Sequence, residues 1–135
     1  MTPMLRDVVR LGLAVLMLAA GSSHLVAPRP YIQHLPDIVP LRAEVVMVTG
    51  VVELGLAAGL VGPRRFRRCT GIALAVFLLL VFPANVYAAV SQVPVDGMPT
   101  GWIRWVRLPL QLPLVVAAVW STGQPSVKVA RFVRR

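Results

Sequence analysis

The sequence CTGIALAVFLLLVFPANVYAA, residues 69–89, decides the fold, because these 21 consecutive residues carry no charge. A helix of about 20 apolar residues is long enough to cross the roughly 30 Å hydrocarbon core of a bilayer. Three further apolar runs of similar length occupy about 8–26, 43–61 and 102–120. The pattern predicts an all-α membrane protein with four transmembrane helices. The connections are short enough to make successive helices antiparallel neighbours in a bundle.

The composition indicates that lipid, rather than water, surrounds these helices. The 135 residues are 57% hydrophobic and 14% charged, with a mean hydropathy of +0.75, whereas soluble domains carry about 25% charged residues. The net charge is +9. The cations flank the apolar runs, so we expect no nucleic-acid binding. The lone cysteine, Cys69, excludes a disulfide within the chain and a C-x-x-C redox motif.

The distribution of the cations predicts the orientation. Ten of the 14 lie in the N-terminal segment, the middle connection or the C-terminal tail, and four lie on the other side. The positive-inside rule then places both termini and the middle connection in the cytoplasm, an N-in, C-in topology. On this interpretation residues 1–122 form the transmembrane domain and residues 123–135 form a short basic cytoplasmic tail. The first run starts like a signal peptide, but its length favours an uncleaved span.

Polar side chains inside the predicted spans form the candidate site. An ionisable group in mid-membrane costs at least about 2.5 kcal/mol on insertion scales, so each requires a partner or a function. With a rise of about 1.5 Å per residue, all four helices bring such groups to the outer half of the membrane. The principal set is His24, Glu53, Asn85, Arg107 and Gln111, and the secondary set is Thr49, Tyr87 and Arg104. Neither a metal-ligand spacing nor a catalytic motif accompanies them, so the sequence predicts no metal site and no enzyme that acts alone.

Two of the charged residues have structural alternatives. Glu53 either handles a ligand or a proton, or forms a buried ion pair with Arg107 or Arg104 that only sets the helix register. In both cases we expect Glu53 to interact with an arginine of the fourth helix, and Arg107 is the better placed by depth. His24 either belongs to the ligand site or makes a hydrogen bond at the end of its helix.

The uncharged polar residues have structural alternatives as well. Asn85 follows Pro83, so its amide either serves the site, repairs the expected helix break or bonds a neighbouring helix. Gln111 likewise either serves the site or satisfies backbone groups loosened by nearby prolines. Gly55 and Gly59 form a G-x-x-x-G motif, for which we expect packing within the bundle rather than dimerisation.

Four motifs, in order and over most of the chain, resemble the DoxX family. They are GSSHLVAPRPY at 21–31, TGVVELGLAAGL at 49–60, LLVFPANVYAA at 79–89 and RWVRLPLQLPL at 104–114. The resemblance implies a four-helix bacterial inner-membrane protein. Some relatives are subunits of thiosulfate:quinone oxidoreductases, and others associate with redox enzymes. Leu25 departs from the aromatic residue that often follows the first-helix histidine. The paired thiols of cysteine-bearing relatives are missing, so their thiol chemistry does not transfer.

Three function hypotheses follow. The first is an accessory or small-molecule-binding subunit for redox enzymes, with a quinone as its ligand. The family motifs fall on the principal polar set, although the resemblance implies no catalytic role for it. The second is a small-molecule transporter, which would require a homodimer because four helices leave little room for alternating access. The third is a structural scaffold whose polar residues only lock the bundle. The predicted partners are the lipid bilayer, redox-enzyme subunits and a second copy of the chain.

Overall fold

Five α-helices make up the described part of the protein. The computed structural model describes residues 2–95, 97 and 99–123, and its helices are α1 (Thr2–Val26), α2 (Arg29–His34), α3 (Arg42–Val61), α4 (Arg64–Ser91) and α5 (Trp102–Thr122). By length and composition, α1, α3, α4 and α5 can each cross a membrane. No strand occurs within these residues. The prediction of an all-α protein with four membrane-spanning helices is confirmed to that extent.

The helices are longer than the predicted spans. The fourth helix in chain order, α4, begins at Arg64, five residues before the predicted start at 69, because Pro63 directly precedes it and arginine is a favourable helix residue. It also continues through Pro83 instead of breaking there. The short helix α2 was not predicted; Pro30 lies in its first turn, where a missing N–H costs no helical hydrogen bond. The structure does not describe residues 124–135, so the predicted basic tail lies outside the described residues except for Gly123.

The helices α1 and α3 pack closely against each other. A Cβ added to Gly21 would lie 2.7 Å from the Gly50 carbonyl oxygen, and one added to Gly50 would lie 2.9 Å from the Cβ of His24. Neither position has space for a side chain, so the two glycines allow the backbones to approach. The G-x-x-x-G motif at 55–59 does not make this contact. A Cβ added to Gly55 would meet no described neighbouring atom within 4 Å, and one added to Gly59 would meet Thr70 of α4.

A second close pair is formed by α4 and α5, where Gly71 packs against Thr122. The apolar core lies among the four long helices in this half of the molecule, and Leu60 and Leu74 are its fully buried members. Arg10 also enters this half and donates a hydrogen bond to the carbonyl oxygen of Leu60. The apolar packing here leaves the opposite half of the molecule to the polar side chains.

The outward-facing surfaces of the long helices are also apolar. Val15 on α1, Val51 on α3, Leu80 on α4 and Val116 on α5 are all exposed. A helix that is hydrophobic on its outer as well as its inner face is typical of a membrane span. The surface therefore agrees with the four spans that helix length and composition indicate.

Candidate ligand-binding site

A cavity of about 260 Å³ lies in the polar half of the molecule. All five helices contribute to its wall. Its polar lining consists of His24, Tyr31, His34, Thr49, Glu53, Asn85, Arg104 and Arg107. Apolar residues such as Phe77, Val81 and Val46 complete the wall. Small-molecule sites in proteins have this composition, a mostly apolar cleft with a few convergent polar groups.

Glu53 and His24 form an ionisable pair in the wall of the cavity. The Nδ1 atom of His24 lies 2.8 Å from Glu53 Oε2 and also 2.8 Å from the carbonyl oxygen of Ala20. Because a carbonyl oxygen only accepts, Nδ1 carries the hydrogen in that bond and directs it along its own helix. Among the described residues, Glu53 Oε2 has no well-aligned donor. The carboxylate therefore lies beside the imidazole with an acceptor to spare, although Glu53 is only 6% exposed.

The close approach of α1 and α3 explains why these two residues meet. A Cβ on Gly21 would contact the Cβ of Glu53 at 3.1 Å, and a Cβ on Gly50 would contact the Cβ of His24 at 2.9 Å. Each glycine thus faces the cavity-lining residue of the other helix. A larger residue at either position would push the imidazole and the carboxylate apart.

The short helix α2 adds two residues that the sequence did not single out. The ring of Tyr31 lies 3.9 Å from the ring of His24, centroid to centroid, and its hydroxyl is 2.7 Å from Ser23 Oγ. His34 donates from Nδ1 to the carbonyl oxygen of Pro30 at 2.9 Å. Burial lowers the pKa of His34, and the positive charge of Arg104 acts in the same direction. Its imidazole is therefore neutral at pH 7, with Nε2 left as an acceptor.

Arg104 holds the connection between α4 and α5 and also lines the cavity. It is 3% exposed. Its Nε donates to the carbonyl oxygen of Pro99 at 3.1 Å, and its Nη1 donates to that of Val93 at 2.8 Å. Its Nη2 is buried with no acceptor within the described part of the chain. Arg104 therefore combines a structural role with an unused donor.

Asn85 and Gln111 join α4 to α5. The Nδ2 of Asn85 donates to Gln111 Oε1 at 2.9 Å. The Nε2 of Gln111 donates to the carbonyl oxygen of Leu78, which also belongs to α4. Gln111 does not line the cavity, so its role is to tie the two helices. Asn85 does line it, and its amide also makes the interhelical bond that was one of its predicted alternatives.

Of the predicted polar residues, the cavity includes six and leaves out two. Tyr87 and Gln111 are outside the lining, whereas Arg107 and Thr49 belong to it. Thr49 donates its hydroxyl to the carbonyl oxygen of Val46 at 2.8 Å. Helix periodicity could not identify Tyr31 and His34, because they belong to a six-residue helix inside a proline-rich connection.

The predicted contact between Glu53 and an arginine is wrong. Over the described residues, the ionisable side chain in contact with Glu53 is His24, and neither Arg104 nor Arg107 forms an ion pair with Glu53. The physical reason is that backbone carbonyls at the end of α4 and in the α4–α5 connection already engage the guanidinium of Arg104. Arg107 shares only the cavity with Glu53. The charges are thus arranged on two sides, with the acid on α3 and the arginines on α5.

Three buried polar atoms in this cavity have no hydrogen-bond partner among residues 2–95, 97 and 99–123: Glu53 Oε2, His34 Nε2 and Arg104 Nη2. A buried donor or acceptor left without a partner is costly, so native proteins satisfy such groups with water or a ligand. Two acceptors and one donor without partners therefore belong to residues that line the same cavity. The described residues contain no group of three side chains able to hold a metal ion.

The fold and this cavity define a protein of four membrane-length helices with a polar site at one end. The chain belongs to the family described as Domain of unknown function (DUF8561), whose model matches residues 13–122. The matched region contains every residue of the cavity. No curated protein and no solved structure matches the chain.

Proposed function

We propose that this protein is a small-molecule-binding subunit of the bacterial inner membrane that works beside redox enzymes. The observation that carries the proposal is the buried carboxylate of Glu53, which lines a cavity and has an unused acceptor oxygen within the described structure. Ionisable side chains inside membrane spans are functional by default, because an isolated charge is costly there. A bound molecule would supply the missing hydrogen bonds.

The size of the cavity limits the ligand. Its volume of about 260 Å³ is slightly below the range of roughly 300–1,000 Å³ that holds drug-sized molecules. A single-ring headgroup fits this volume better than a nucleotide or a peptide does. The lining offers donors from Arg104 and Arg107 and an apolar wall that includes Phe77. A quinone headgroup in its reduced, quinol form has this chemistry, because its flat ring is apolar and its hydroxyls can donate to the Glu53 carboxylate and accept from an arginine.

The resemblance to the DoxX family supports the redox part of the proposal. Its four motifs carry His24, Glu53, Asn85 and Arg107, and each of these residues lines the cavity. With both termini in the cytoplasm and the four long helices in an antiparallel bundle, the cavity would face the outer half of the membrane. There it would be accessible to a lipid-soluble ligand and to an enzyme on the outer surface.

The test compares ligand retention by two carboxylate variants of α3. Wild-type protein, Glu53→Gln and Glu44→Gln are extracted gently, and mass spectrometry of organic extracts quantifies the quinone retained per protein. Glu44 is a matched control, because it lies on the same helix but is exposed. We expect wild type and Glu44→Gln to retain the ligand. Glu53→Gln should retain at least about tenfold less ligand per protein, which corresponds to the loss of one charged hydrogen bond.

Other outcomes would favour the two alternative functions. If wild-type protein retains no small molecule and Glu53→Gln only lowers the melting temperature, the polar residues serve as a scaffold. If wild-type protein in liposomes moves a small solute across the bilayer, it is a transporter. Retention of a ligand that is not a quinone would preserve the binding function and replace the ligand class.

A further inference from the structure

A shallow apolar groove runs between α1 and α5 at the end of the molecule opposite the cavity. Its lining consists of Val9, Leu112, Pro113, Val116, Ala117 and Trp120. Leu112 and Val116 are 63% and 66% exposed. From residue 112 to residue 120, the groove extends about 12 Å along α5, at 1.5 Å per residue.

Arg6 lies at the end of this groove. Its Cζ is 5.3 Å from the ring centroid of Trp120, and its Nη1 donates to the carbonyl oxygen of Gly123 at 2.7 Å. Its Nε is buried and has no partner in the part of the chain that the structure describes. Because Arg6 precedes Val9 by three residues on α1, the two side chains lie on the same helix face. The groove is therefore apolar along its length and has a positively charged side chain at one end.

The position of Arg6 along α1 matches the membrane boundary. The 25 residues of α1 span about 37 Å, which exceeds the roughly 30 Å of the hydrocarbon core. Arg6 is only four residues from the helix start, and Trp120 beside it is of the type enriched at membrane–water interfaces. The same end of the molecule carries further cations at Arg64, Arg65, Arg67 and Arg68, at the start of α4.

We infer that this groove binds an anionic phospholipid, with the lipid phosphate on Arg6 and one acyl chain along α5. A guanidinium recognises phosphate oxygens through charge-assisted N–H donors, and the guanidinium of Arg6 lies beside Trp120 on a side chain that is only partly buried. The surplus of positive charge at this end favours a negatively charged headgroup over a zwitterionic one. The inference is independent of the ligand in the cavity, because it rests on the other end of the molecule.

Native mass spectrometry tests the inference with two lipids that differ only in their headgroups. Purified protein in detergent is mixed with equal amounts of phosphatidylglycerol and phosphatidylcholine that carry the same acyl chains. We expect wild type to retain phosphatidylglycerol preferentially. Arg6→Gln should lower that retention at least about tenfold, as expected for the loss of a charged hydrogen bond.

Two further variants separate lipid binding from folding. Val116→Trp fills the groove without changing Arg6, and it should also lower the retention of phosphatidylglycerol. Arg65→Gln is the matched control, because Arg65 belongs to the same end of the molecule but stacks on Phe66, 4.6 Å from its ring centroid, outside the groove. Because Arg65 contributes only to the overall positive charge of this end, Arg65→Gln should lower the retention of phosphatidylglycerol much less than Arg6→Gln does.

Three results would overturn the inference. They are equal retention of the two lipids by wild type, unchanged retention in both Arg6→Gln and Val116→Trp, and a lipid-free dimer that Val116→Trp dissociates. The last result would identify the groove as an interface between two copies of the chain. Arg6→Gln could fail to fold because the hydrogen bond to Gly123 is lost. In that case the retention of phosphatidylglycerol by Val116→Trp, compared with that by Arg65→Gln, still tests the inference.

Discussion

At the scale of single residues, the decisive feature is the contact between the side chains of His24 and Glu53. A carboxylate that is 6% exposed requires a compensating charge or hydrogen bonds, because water does not reach it freely. The imidazole of His24 lies within 2.8 Å, but its Nδ1–H is directed at Ala20. The contact with His24 therefore leaves an acceptor position of the carboxylate free for another molecule. An arginine bound in a bidentate manner would engage both carboxylate oxygens.

The pairing of Glu53 predicts which double-mutant cycle shows coupling. We expect His24→Gln and Glu53→Gln to be non-additive by about 0.5–3 kcal/mol, since they remove partners of one contact. Arg107→Met and Glu53→Gln should be additive within about 0.5 kcal/mol. Unfolding in detergent measures both cycles. Coupling of Glu53 to Arg107 rather than to His24 would contradict the pairing described here.

At the scale of helices, the close contact of α1 and α3 controls the geometry of the site. Gly21 and Gly50 meet at this contact and leave no space for a Cβ. Membrane helices commonly use small residues in this way, because packing rather than hydrophobic expulsion drives their association. The contact holds the imidazole of α1 next to the carboxylate of α3.

Replacement of Gly50 or Gly55 of α3 by alanine should change the free energy of unfolding in opposite directions. A Cβ at Gly50 would lie 2.9 Å from His24 Cβ and 3.1 Å from the Gly21 carbonyl oxygen, whereas an added Cβ at Gly55 meets no described atom within 4 Å. We expect Gly50→Ala to destabilise by about 1–3 kcal/mol through overpacking. Gly55→Ala should stabilise by up to about 1 kcal/mol, because alanine is the better helix residue.

Thermal unfolding in detergent distinguishes the two alanine variants, and ligand retention provides a second readout. Gly50→Ala should also lower ligand retention, since it separates α1 from α3 at the cavity. A Gly50→Ala variant as stable as wild type would mean that the two helices are farther apart than described.

At the scale of the whole molecule, the two ends differ in chemistry. One end holds the cavity, with Glu53 and Arg104 buried in its wall, and the other holds the apolar core and the basic start of α4. Such an asymmetric molecule suits a membrane whose two faces present different partners. The proposed orientation, with the basic end in the cytoplasm, places the cavity on the outer side.

Cysteine labelling in intact cells tests this orientation. A Cys69→Ser background removes the exposed native thiol, and single cysteines are then introduced at Ile38 and Phe66, which are 88% and 50% exposed. We expect a membrane-impermeant reagent to label Ile38→Cys and not Phe66→Cys. Labelling at Phe66 alone would reverse the orientation. Normal expression of Cys69→Ser would agree with the prediction that this lone thiol is dispensable.

The sequence by itself determined the four membrane-length helices and most of the candidate site. Helix length and hydropathy are local properties, so uncharged runs such as 69–89 were sufficient to predict the spans. The cost of polar groups within a span is also local, and it identified Glu53 and Arg104 without knowledge of their neighbours.

Only the tertiary structure decided which polar groups meet. The partner of Glu53 depends on how α1 and α3 rotate and approach at Gly21 and Gly50, and helix periodicity does not encode that approach. The short helix α2, which the sequence did not predict, brings His34 into the cavity. Gln111 was excluded because its amide bonds to α4. In each case a contact between distant segments, rather than a local preference, set the outcome.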